Sequence, residues 1–133
     1  MPNNQGKTES RSSARDKAIV LVVEDEPILR MLAVDVVEEA GLEPIEASDA
    51  AEAIAILEAR QDIRLVFTDV DMPGGMDGLR LAACIRDRWP PIEVIVTSGK
   101  PLPRDLVLPA RAIFIPKPFD LKELTSALQR MAA

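Results

Sequence analysis

Short apolar runs alternate with amphipathic stretches along most of the chain. The run Ala18–Val23 is continuous and rich in β-branched residues, which is typical of a strand covered on both faces. Pro27 follows it at a position that a first helical turn tolerates, and apolar residues then recur at helical spacing as far as Gly41. These apolar residues are Ile28, Leu29, Leu32, Val36 and Val37. The pattern therefore predicts a strand followed by a helix.

The same order of strand and helix repeats toward the end of the sequence. Asp49 and Asp120 each stand three residues before a glutamate, an arrangement that caps the N-terminus of a helix. Strands that alternate with helices favour a parallel sheet with helices on both faces, so we predict a doubly wound α/β fold. The remaining predicted strands are Glu43–Ala47, Leu65–Thr68, Glu93–Thr97 and Ala112–Ile115, and the remaining predicted helices are Ala50–Ala59, Leu79–Arg88 and Leu121–Met131.

The segment Lys100–Ala110 interrupts this repetition. It contains Pro101, Pro103 and Pro109 within eleven residues. Proline lacks the amide hydrogen that a helix needs, and its ring clashes with the preceding turn, so a regular helix of any length is excluded there. We expect at most a short turn around Arg104–Leu108. The fourth helix of the repeat is therefore predicted to be shortened or irregular.

The composition indicates one folded domain with a polar extension at its N-terminus. A chain of 133 residues fits a single domain, and 47% hydrophobic with 29% charged residues is a globular composition. Residues 1–17 have few apolar side chains, so they cannot bury enough surface to offset the entropy lost on ordering. We therefore predict a flexible polar tail over residues 1–17 and a folded domain over residues 18–133.

Charge and residue usage exclude several classes of function. The net charge of −6 argues against a nucleic-acid surface, which needs an excess of lysine and arginine. Glu24 and Asp25 end the first apolar run far short of the roughly 20 residues that span a bilayer, so we expect a cytoplasmic protein with no membrane partner. Cys84 is the single cysteine and histidine is absent, which excludes an intrachain disulfide, histidine-based catalysis and most zinc sites.

Polar residues stand where the predicted strands end. Glu24 and Asp25 follow the first strand and Asp69 follows the third, while Thr97 ends the fourth strand and Lys117 follows the fifth. If the first and third strands are neighbours where the strand order reverses, the three carboxylates meet at the edge of the sheet where ligands bind. Oxygen-only ligands select a hard cation such as Mg²⁺, and a carboxylate beside a metal and a lysine suits phosphoryl transfer. The pattern therefore suggests an aspartyl-phosphate site.

Four short motifs surround these polar positions. They are LVVEDE at Leu21–Glu26, TDVDMPGGMDG at Thr68–Gly78, VTSG at Val96–Gly99 and PKPF at Pro116–Phe119. In this order and at these distances they resemble the response-regulator receiver domain of two-component signalling, and the resemblance extends from residue 18 to about residue 131. It implies a flavodoxin-like (βα)5 sandwich whose five-stranded parallel sheet has the order 2-1-3-4-5.

The resemblance also implies which residues carry the chemistry. Asp69 would be the phosphoacceptor, taking its phosphoryl group from a sensor histidine kinase or a histidine phosphotransfer protein. Asp25 and Asp69 would bind Mg²⁺ together with the backbone carbonyl of Asp71, and Glu24 would act through metal-bound water.

Further roles follow from the same resemblance. Thr97 and Lys117 would contact the phosphoryl oxygens, and the Lys117–Pro118 peptide would be cis. Phe114 would occupy the aromatic switch position, although it lacks the hydroxyl of the more usual tyrosine, so that any switch would act by packing alone.

Three other departures from the family pattern concern the site and its output. Glu24 replaces the commoner aspartate, and Gly74 and Gly75 lengthen the loop after Asp69 by one residue. The proline-rich segment Lys100–Ala110 stands where the family's fourth helix normally carries the output signal. The usual activation surface is therefore expected to differ in this chain.

The expected function is that of a stand-alone receiver. Only sixteen residues follow Lys117, so we expect no effector domain, and the output would be contact with an unknown downstream protein or the draining of phosphoryl groups as a phosphate sink. Such a protein is not an enzyme in the usual sense, because it catalyses only its own phosphorylation and autodephosphorylation. Two alternatives stay open: a receiver-like module that binds its partner independently of phosphorylation, and a small phosphatase with an aspartate nucleophile.

Overall fold

The computed structural model describes residues 17–133, which form a five-stranded parallel sheet with helices on both faces. The sheet has the order β2-β1-β3-β4-β5, which confirms the predicted doubly wound α/β fold. The strands are β1 (Ile19–Val23), β2 (Glu43–Ala47), β3 (Ile63–Asp69), β4 (Glu93–Ser98) and β5 (Ala112–Pro116). The helices are α1 (Pro27–Glu39), α2 (Ala50–Ala59), α3 (Gly78–Arg88) and α4 (Leu121–Met131).

Two of the predictions from sequence concern the N-terminal tail and membrane-spanning segments. The predicted tail over residues 1–17 lies outside the described residues except for Lys17. Across residues 17–133, every helix falls short of the length and apolar character needed to traverse a bilayer.

The strands next to the polar positions are longer than the sequence pattern predicts. Strand β3 begins at Ile63, which pairs with β1, and it ends at Asp69, which pairs with Thr97 of β4. Strand β4 likewise continues to Ser98, opposite Pro116 of β5. The predicted strand ends rest on apolar residues alone, whereas the pairing between neighbouring strands continues through these polar residues. Asp69 is therefore the last residue of a strand rather than the first of a loop.

The sheet separates two apolar cores. Alternate residues of β1 point to opposite faces, as the pleat of a strand requires. Leu21 and Val23 pack on the face covered by α2 and α3, whereas Val20 and Val22 pack on the face covered by α1 and α4. Because both faces are buried, the continuous apolar run at the start of the domain is explained.

Helix α1 buries only part of the apolar repeat that the sequence shows. Val37 is fully buried and Val36 is partly buried in the core. Ile28, Leu29 and Leu32 are instead exposed by 64%, 42% and 55%. The first turns of α1 therefore present an apolar surface to solvent, and this surface lies beside the carboxyl edge of the sheet.

The chain between β4 and β5 contains turns and no helix, in keeping with the prediction of an irregular fourth helix. The amide of Leu106 donates a hydrogen bond to the carbonyl of Pro103 at 3.1 Å, which closes one turn. Leu102 and Leu108 pack against the core on the α2–α3 face, whereas the side chain of Val107 is 86% exposed. Residues 99–111 therefore form an irregular segment that packs on the α2–α3 face through two leucines, where a helix would pack through a continuous face.

Candidate functional site

Three carboxylates meet at the carboxyl edge of the sheet. Because β1 and β3 are neighbours, the residues after β1 lie beside the last residue of β3. Glu24, Asp25 and Asp69 each place one carboxylate oxygen within 4.8 Å of the others. Glu24 and Asp69 are buried and Asp25 is half-buried. The structure thus brings together the acidic residues that the sequence analysis singled out.

Lys117 supplies a positive charge to this cluster. Its Nζ lies 3.3 Å from Oδ1 of Asp69 and 3.5 Å from Oε1 of Glu24. The backbone amide of Lys117 donates to the carbonyl of Ser98 at 3.0 Å, so the ladder between β4 and β5 holds the lysine at the edge of the sheet. The Lys117–Pro118 peptide is cis, as the resemblance implies.

Burial and mutual repulsion raise the pKa of two of the carboxyl groups. The pKa of Glu24 is raised chiefly by burial and also by the charge of Asp69, although a hydrogen bond from the Glu26 amide and the charge of Lys117 act against this. The pKa of Asp69 is raised for the same main reason, with smaller contributions from Asp71 and Asp25. Lys117 lowers the pKa of Asp69 but does not offset burial. One lysine thus faces three carboxylates, which leaves the cluster with an excess of negative charge.

An apolar cleft of about 400 Å³ between α1 and α4 opens beside the acidic cluster. Asp69, Thr97 and Lys117 form part of its lining. Water has limited access to carboxylates that border such a surface, which is the physical reason for their raised pKa values. The apolar side chains of the cleft include Leu29, Leu32, Val36, Phe67, Phe119 and Leu121.

Thr97 and Phe114 lie on different sides of the sheet. Thr97 is directly opposite Asp69 in the register of β3 and β4, is 2% exposed, and lines the cleft. Phe114 pairs with Val96 and packs against the core on the α2–α3 face. The structure therefore places the threonine beside Asp69 and the phenylalanine on the opposite face of the sheet.

The loop after Asp69 is held by a side-chain hydrogen bond. The exposed carboxylate of Asp71 accepts a hydrogen bond from Oγ of Ser98 at 3.0 Å. Gly74 and Gly75 follow in left-handed backbone conformations, with φ of 77° and 124°. Such φ values are costly for residues with a Cβ, so the two glycines of this longer loop are required by its shape.

Three residues that support the site carry no functional role in the sequence analysis. Ser98 contacts Asp71, as described above. The guanidinium of Arg30 donates to the carbonyl of Glu24 at 2.8 Å. A Cβ on Gly78 would lie 2.8 Å from the carbonyl carbon of Asp69, so α3 can begin there only with glycine. Ser98 and Gly78 lie inside the quoted motifs, but the contact of Ser98 with Asp71 spans 27 positions, and the close approach of Gly78 to Asp69 is visible only in the fold.

The sheet order and this acidic edge define a doubly wound α/β domain whose carboxylate cluster could hold a metal ion. A family model described as "Response regulator receiver domain" matches residues 20–129. The chain therefore belongs to the response regulator receiver domain family of two-component systems. Members of this family are phosphoacceptor switches that take phosphoryl groups from histidine kinases.

Individual relatives agree with this assignment. The chain is 36% identical over 129 residues to the sensor kinase CckA of Brucella abortus (strain 2308), a match that covers 94% of this chain and 14% of that protein. The chain thus spans a small part of the length of this curated relative.

Solved receiver structures share the fold. The crystal structure of the receiver domain from the hybrid histidine kinase CckA is 32% identical, with a TM-score of 0.72 over 86% of this chain and 99% of that one. The response regulator TrrA of Thermotoga maritima, solved in complex with Mg²⁺ and BeF, is 28% identical, with a TM-score of 0.76 over 85% and 97% of the two chains.

Proposed function

We propose that this chain accepts a phosphoryl group on Asp69 from a histidine kinase or a histidine phosphotransfer protein in a Mg²⁺-dependent reaction. One observation carries the proposal: three carboxylates lie within 4.8 Å of one another, with the ammonium of Lys117 3.3 Å from Asp69. A structural ion pair does not require a third carboxylate in a half-buried cluster, whereas a phosphoryl site with a divalent cation does.

The donor set of the site fits Mg²⁺. Every side-chain ligand atom in the cluster is a carboxylate oxygen, which suits a hard cation, and the single ammonium of Lys117 leaves an excess of negative charge among the three carboxylates. Glu24, Asp25, Asp69 and the backbone carbonyl of Asp71 would hold the ion. When bound, Mg²⁺ would neutralise charge that develops on the phosphoryl oxygens.

The residues of the chain have distinct parts in the transfer. A carboxylate oxygen of Asp69 forms a bond to phosphorus while the phosphorus–nitrogen bond of the phosphohistidine breaks, and the imidazole nitrogen keeps the electron pair of that bond. Lys117 then pairs with the phosphoryl oxygens, and Thr97, directly opposite Asp69 in the sheet, donates its hydroxyl hydrogen to one of them. These contacts hold the roughly −1.5 to −2 charge that phosphorylation brings into an acidic site.

The surface next to Asp69 supports a protein as the phosphodonor. Ile28, Met31 and Leu32 on α1 are each more than half exposed. Exposed apolar side chains that cluster at the mouth of a reactive site are typical of a protein-binding surface. A helical partner that covers them would carry its phosphohistidine to the edge of the sheet.

Phosphorylation would act as a switch by shifting the population between two packings of the domain. Thr97 would move toward the phosphoryl group, and Phe114 would respond by a change of packing on the opposite face of the sheet. That the domain acts in the cytoplasm, through an unknown downstream protein or as a phosphate sink, stays a prediction from the sequence.

Mass spectrometry after incubation with Mg²⁺ and acetyl phosphate tests the proposal. We expect a hydroxylamine-labile phosphoryl adduct on Asp69 that is absent without Mg²⁺ and absent in Asp69→Asn, a variant that keeps the fold. An adduct that persists in Asp69→Asn would contradict the assignment. Absence of Mg²⁺ binding would favour a module that binds its partner without phosphorylation, and sustained turnover of phosphate esters would indicate a phosphatase.

A further inference from the structure

Ser98 connects two segments that otherwise meet only at the edge of the sheet. Its hydroxyl donates a hydrogen bond to Oδ2 of Asp71 at 3.0 Å and accepts one from the backbone amide of Lys100, also at 3.0 Å. Ser98 is 3% exposed whereas Asp71 is exposed. The strand therefore fixes the hydroxyl, and the hydroxyl in turn fixes the side chain of Asp71.

The loop that Asp71 begins needs such an anchor. Gly74 and Gly75 adopt left-handed conformations, and glycine has the largest conformational freedom in an unconstrained chain. Ordering a loop of this kind costs backbone conformational entropy at each of its residues. A hydrogen bond from a buried strand residue restricts Asp71 before any ion arrives, so less of that cost remains to be met on binding.

We propose that Ser98 is a positioning residue for the metal site and that it acts through Asp71. This inference rests on the proposed function, in which the backbone carbonyl of Asp71 is a ligand of Mg²⁺. By holding the carboxylate of Asp71, Ser98 keeps the peptide of that residue in one orientation. The same hydroxyl binds Lys100, so the orientation of Asp71 is tied to the start of residues 99–111.

The contribution of the hydroxyl can be separated from that of the backbone. The carbonyl of Ser98 accepts the hydrogen bond from the amide of Lys117, and this bond does not involve the side chain. Ser98→Ala therefore removes the contacts to Asp71 and Lys100 while the bond that places Lys117 is retained. A methyl group fits in the space that the CH₂OH group of serine occupies, so the core does not become overpacked.

Mg²⁺ titration by isothermal calorimetry in a double-mutant cycle tests the inference. Ser98→Ala is expected to raise the Kd for Mg²⁺ about fivefold, which corresponds to the loss of one hydrogen bond. In an Asp71→Ala background the same substitution should change the Kd by less than twofold, because the acceptor is already absent. In an Asp71→Asn background, which keeps an acceptor oxygen, the fivefold effect should return.

Hydrogen exchange and a matched control give readouts that do not depend on the metal. Ser98→Ala should speed exchange of the Lys100 amide, since its hydrogen-bond acceptor is lost. Ser48→Ala removes a hydroxyl that contacts Glu52 just beyond the carboxyl end of β2, and it should leave both the Kd and the exchange of Lys100 unchanged.

The possible outcomes separate this inference from the proposed function. If wild type binds no Mg²⁺, the proposed function and the inference both fail. If wild type binds Mg²⁺ and Ser98→Ala binds it equally well, only the inference fails. An equal loss of affinity in the wild-type and Asp71→Ala backgrounds would also overturn it, because Ser98 would then act by a route other than Asp71.

Discussion

The ammonium group of Lys117 lies 3.3 Å from Oδ1 of Asp69, although 48 positions separate the two residues in sequence. The parallel sheet makes this contact, since β3 and β5 flank β4 and all three end at the same edge. The same ammonium lies 3.5 Å from Glu24, so one positive charge faces two buried carboxylates. The stability of the metal-free domain therefore depends on this lysine.

Replacement of Lys117 by methionine tests that dependence. Lys117→Met keeps most of the side-chain volume but leaves Glu24 and Asp69 buried without their counter-charge. We expect the free energy of unfolding at pH 7 without Mg²⁺ to fall by about 1–3 kcal/mol, the usual cost of an unsatisfied buried group. Urea unfolding followed by circular dichroism measures this change, and the yield of phosphoryl adduct on Asp69 should fall in the same variant.

Lys122→Met is the matched control, because Lys122 lies in the first turn of α4 and is exposed. Its substitution should change the free energy of unfolding by less than about 0.5 kcal/mol. Equal stabilities for Lys117→Met and wild type would show that the lysine does not balance the buried carboxylates.

The raised pKa of Asp69 predicts that Asp69→Asn stabilises the metal-free domain above pH 4. A carboxyl group whose pKa is higher in the folded than in the unfolded state contributes nothing to stability below the unfolded value of about 3.9. As pH rises from the unfolded to the folded pKa, the group increasingly destabilises the fold, and above the folded pKa the loss of stability is constant. The stability of Asp69→Asn relative to wild type should therefore rise from zero near pH 3 to a plateau at neutral pH. Thermal unfolding from pH 3 to 8 in the presence of a chelator measures the difference.

Asp62→Asn should change the stability in the opposite direction in the same series of pH values. The exposed Asp62 pairs with Arg60 at 2.8 Å, and the hydrogen bond from Arg60 lowers its pKa. Its charged form therefore favours the fold above the unfolded pKa, and its substitution should weaken stability slightly at neutral pH. A stability difference for Asp69→Asn that is absent or negative at pH 7 would contradict the assigned direction of the shift.

The position of the site could be predicted from sequence because strands end at polar residues. Glu24, Asp69 and Lys117 each interrupt or follow an apolar run, and a parallel sheet aligns those ends whatever the details of packing. The contact between Ser98 and Asp71 could not be predicted in this way. It depends on which way a loop of unusual length folds over the neighbouring strand, and local patterns hold no information on that.

The exposed part of α1 shows a second limit of sequence reasoning. Apolar residues at helical spacing predict a helix, and α1 is present, but the same spacing does not say which apolar positions face the core. Ile28 and Leu32 belong to the repeat and yet are more than half exposed, whereas Val37 of the same repeat is fully buried in the core. Apolar residues that are exposed and apolar residues that pack in the core therefore recur at the same helical spacing.

Close packing at the start of α3 predicts that Gly78→Ala disturbs Asp69, the proposed phosphoacceptor. A Cβ at this position would lie 2.8 Å from the carbonyl carbon of Asp69 and 2.9 Å from Cα of Val70, and backbone atoms cannot move aside cheaply. Alanine usually stabilises a helix relative to glycine, but here we expect a loss of about 1–3 kcal/mol from overpacking. Urea unfolding measures it, and the rate of phosphorylation by acetyl phosphate should fall because Asp69 is displaced.

Gly99→Ala serves as the control for Gly78→Ala. Gly99 lies next to the site, but a Cβ there would meet no atom within 4 Å, and its φ lies outside the left-handed region. We expect both stability and phosphorylation to stay close to wild type. A Gly78→Ala protein as stable and as reactive as Gly99→Ala would show that the contact with β3 is not restrictive.

The exposed apolar surface of α1 predicts that transfer from a protein donor and transfer from a small donor respond differently to mutation. Ile28 is 64% exposed, so Ile28→Glu should leave the free energy of unfolding nearly unchanged. It places a charge where the proposed partner helix packs, and we expect the rate of transfer from a phosphorylated histidine kinase to fall about tenfold, the effect of about 1.4 kcal/mol. Phosphorylation by acetyl phosphate, which needs no such surface, should keep its wild-type rate.

Val107→Glu alters an exposed apolar residue on the segment between β4 and β5 and should affect neither rate. Equal slowing by Ile28→Glu with both donors would mean that the residue acts on Asp69 itself, and no slowing with the kinase would remove α1 from the docking surface.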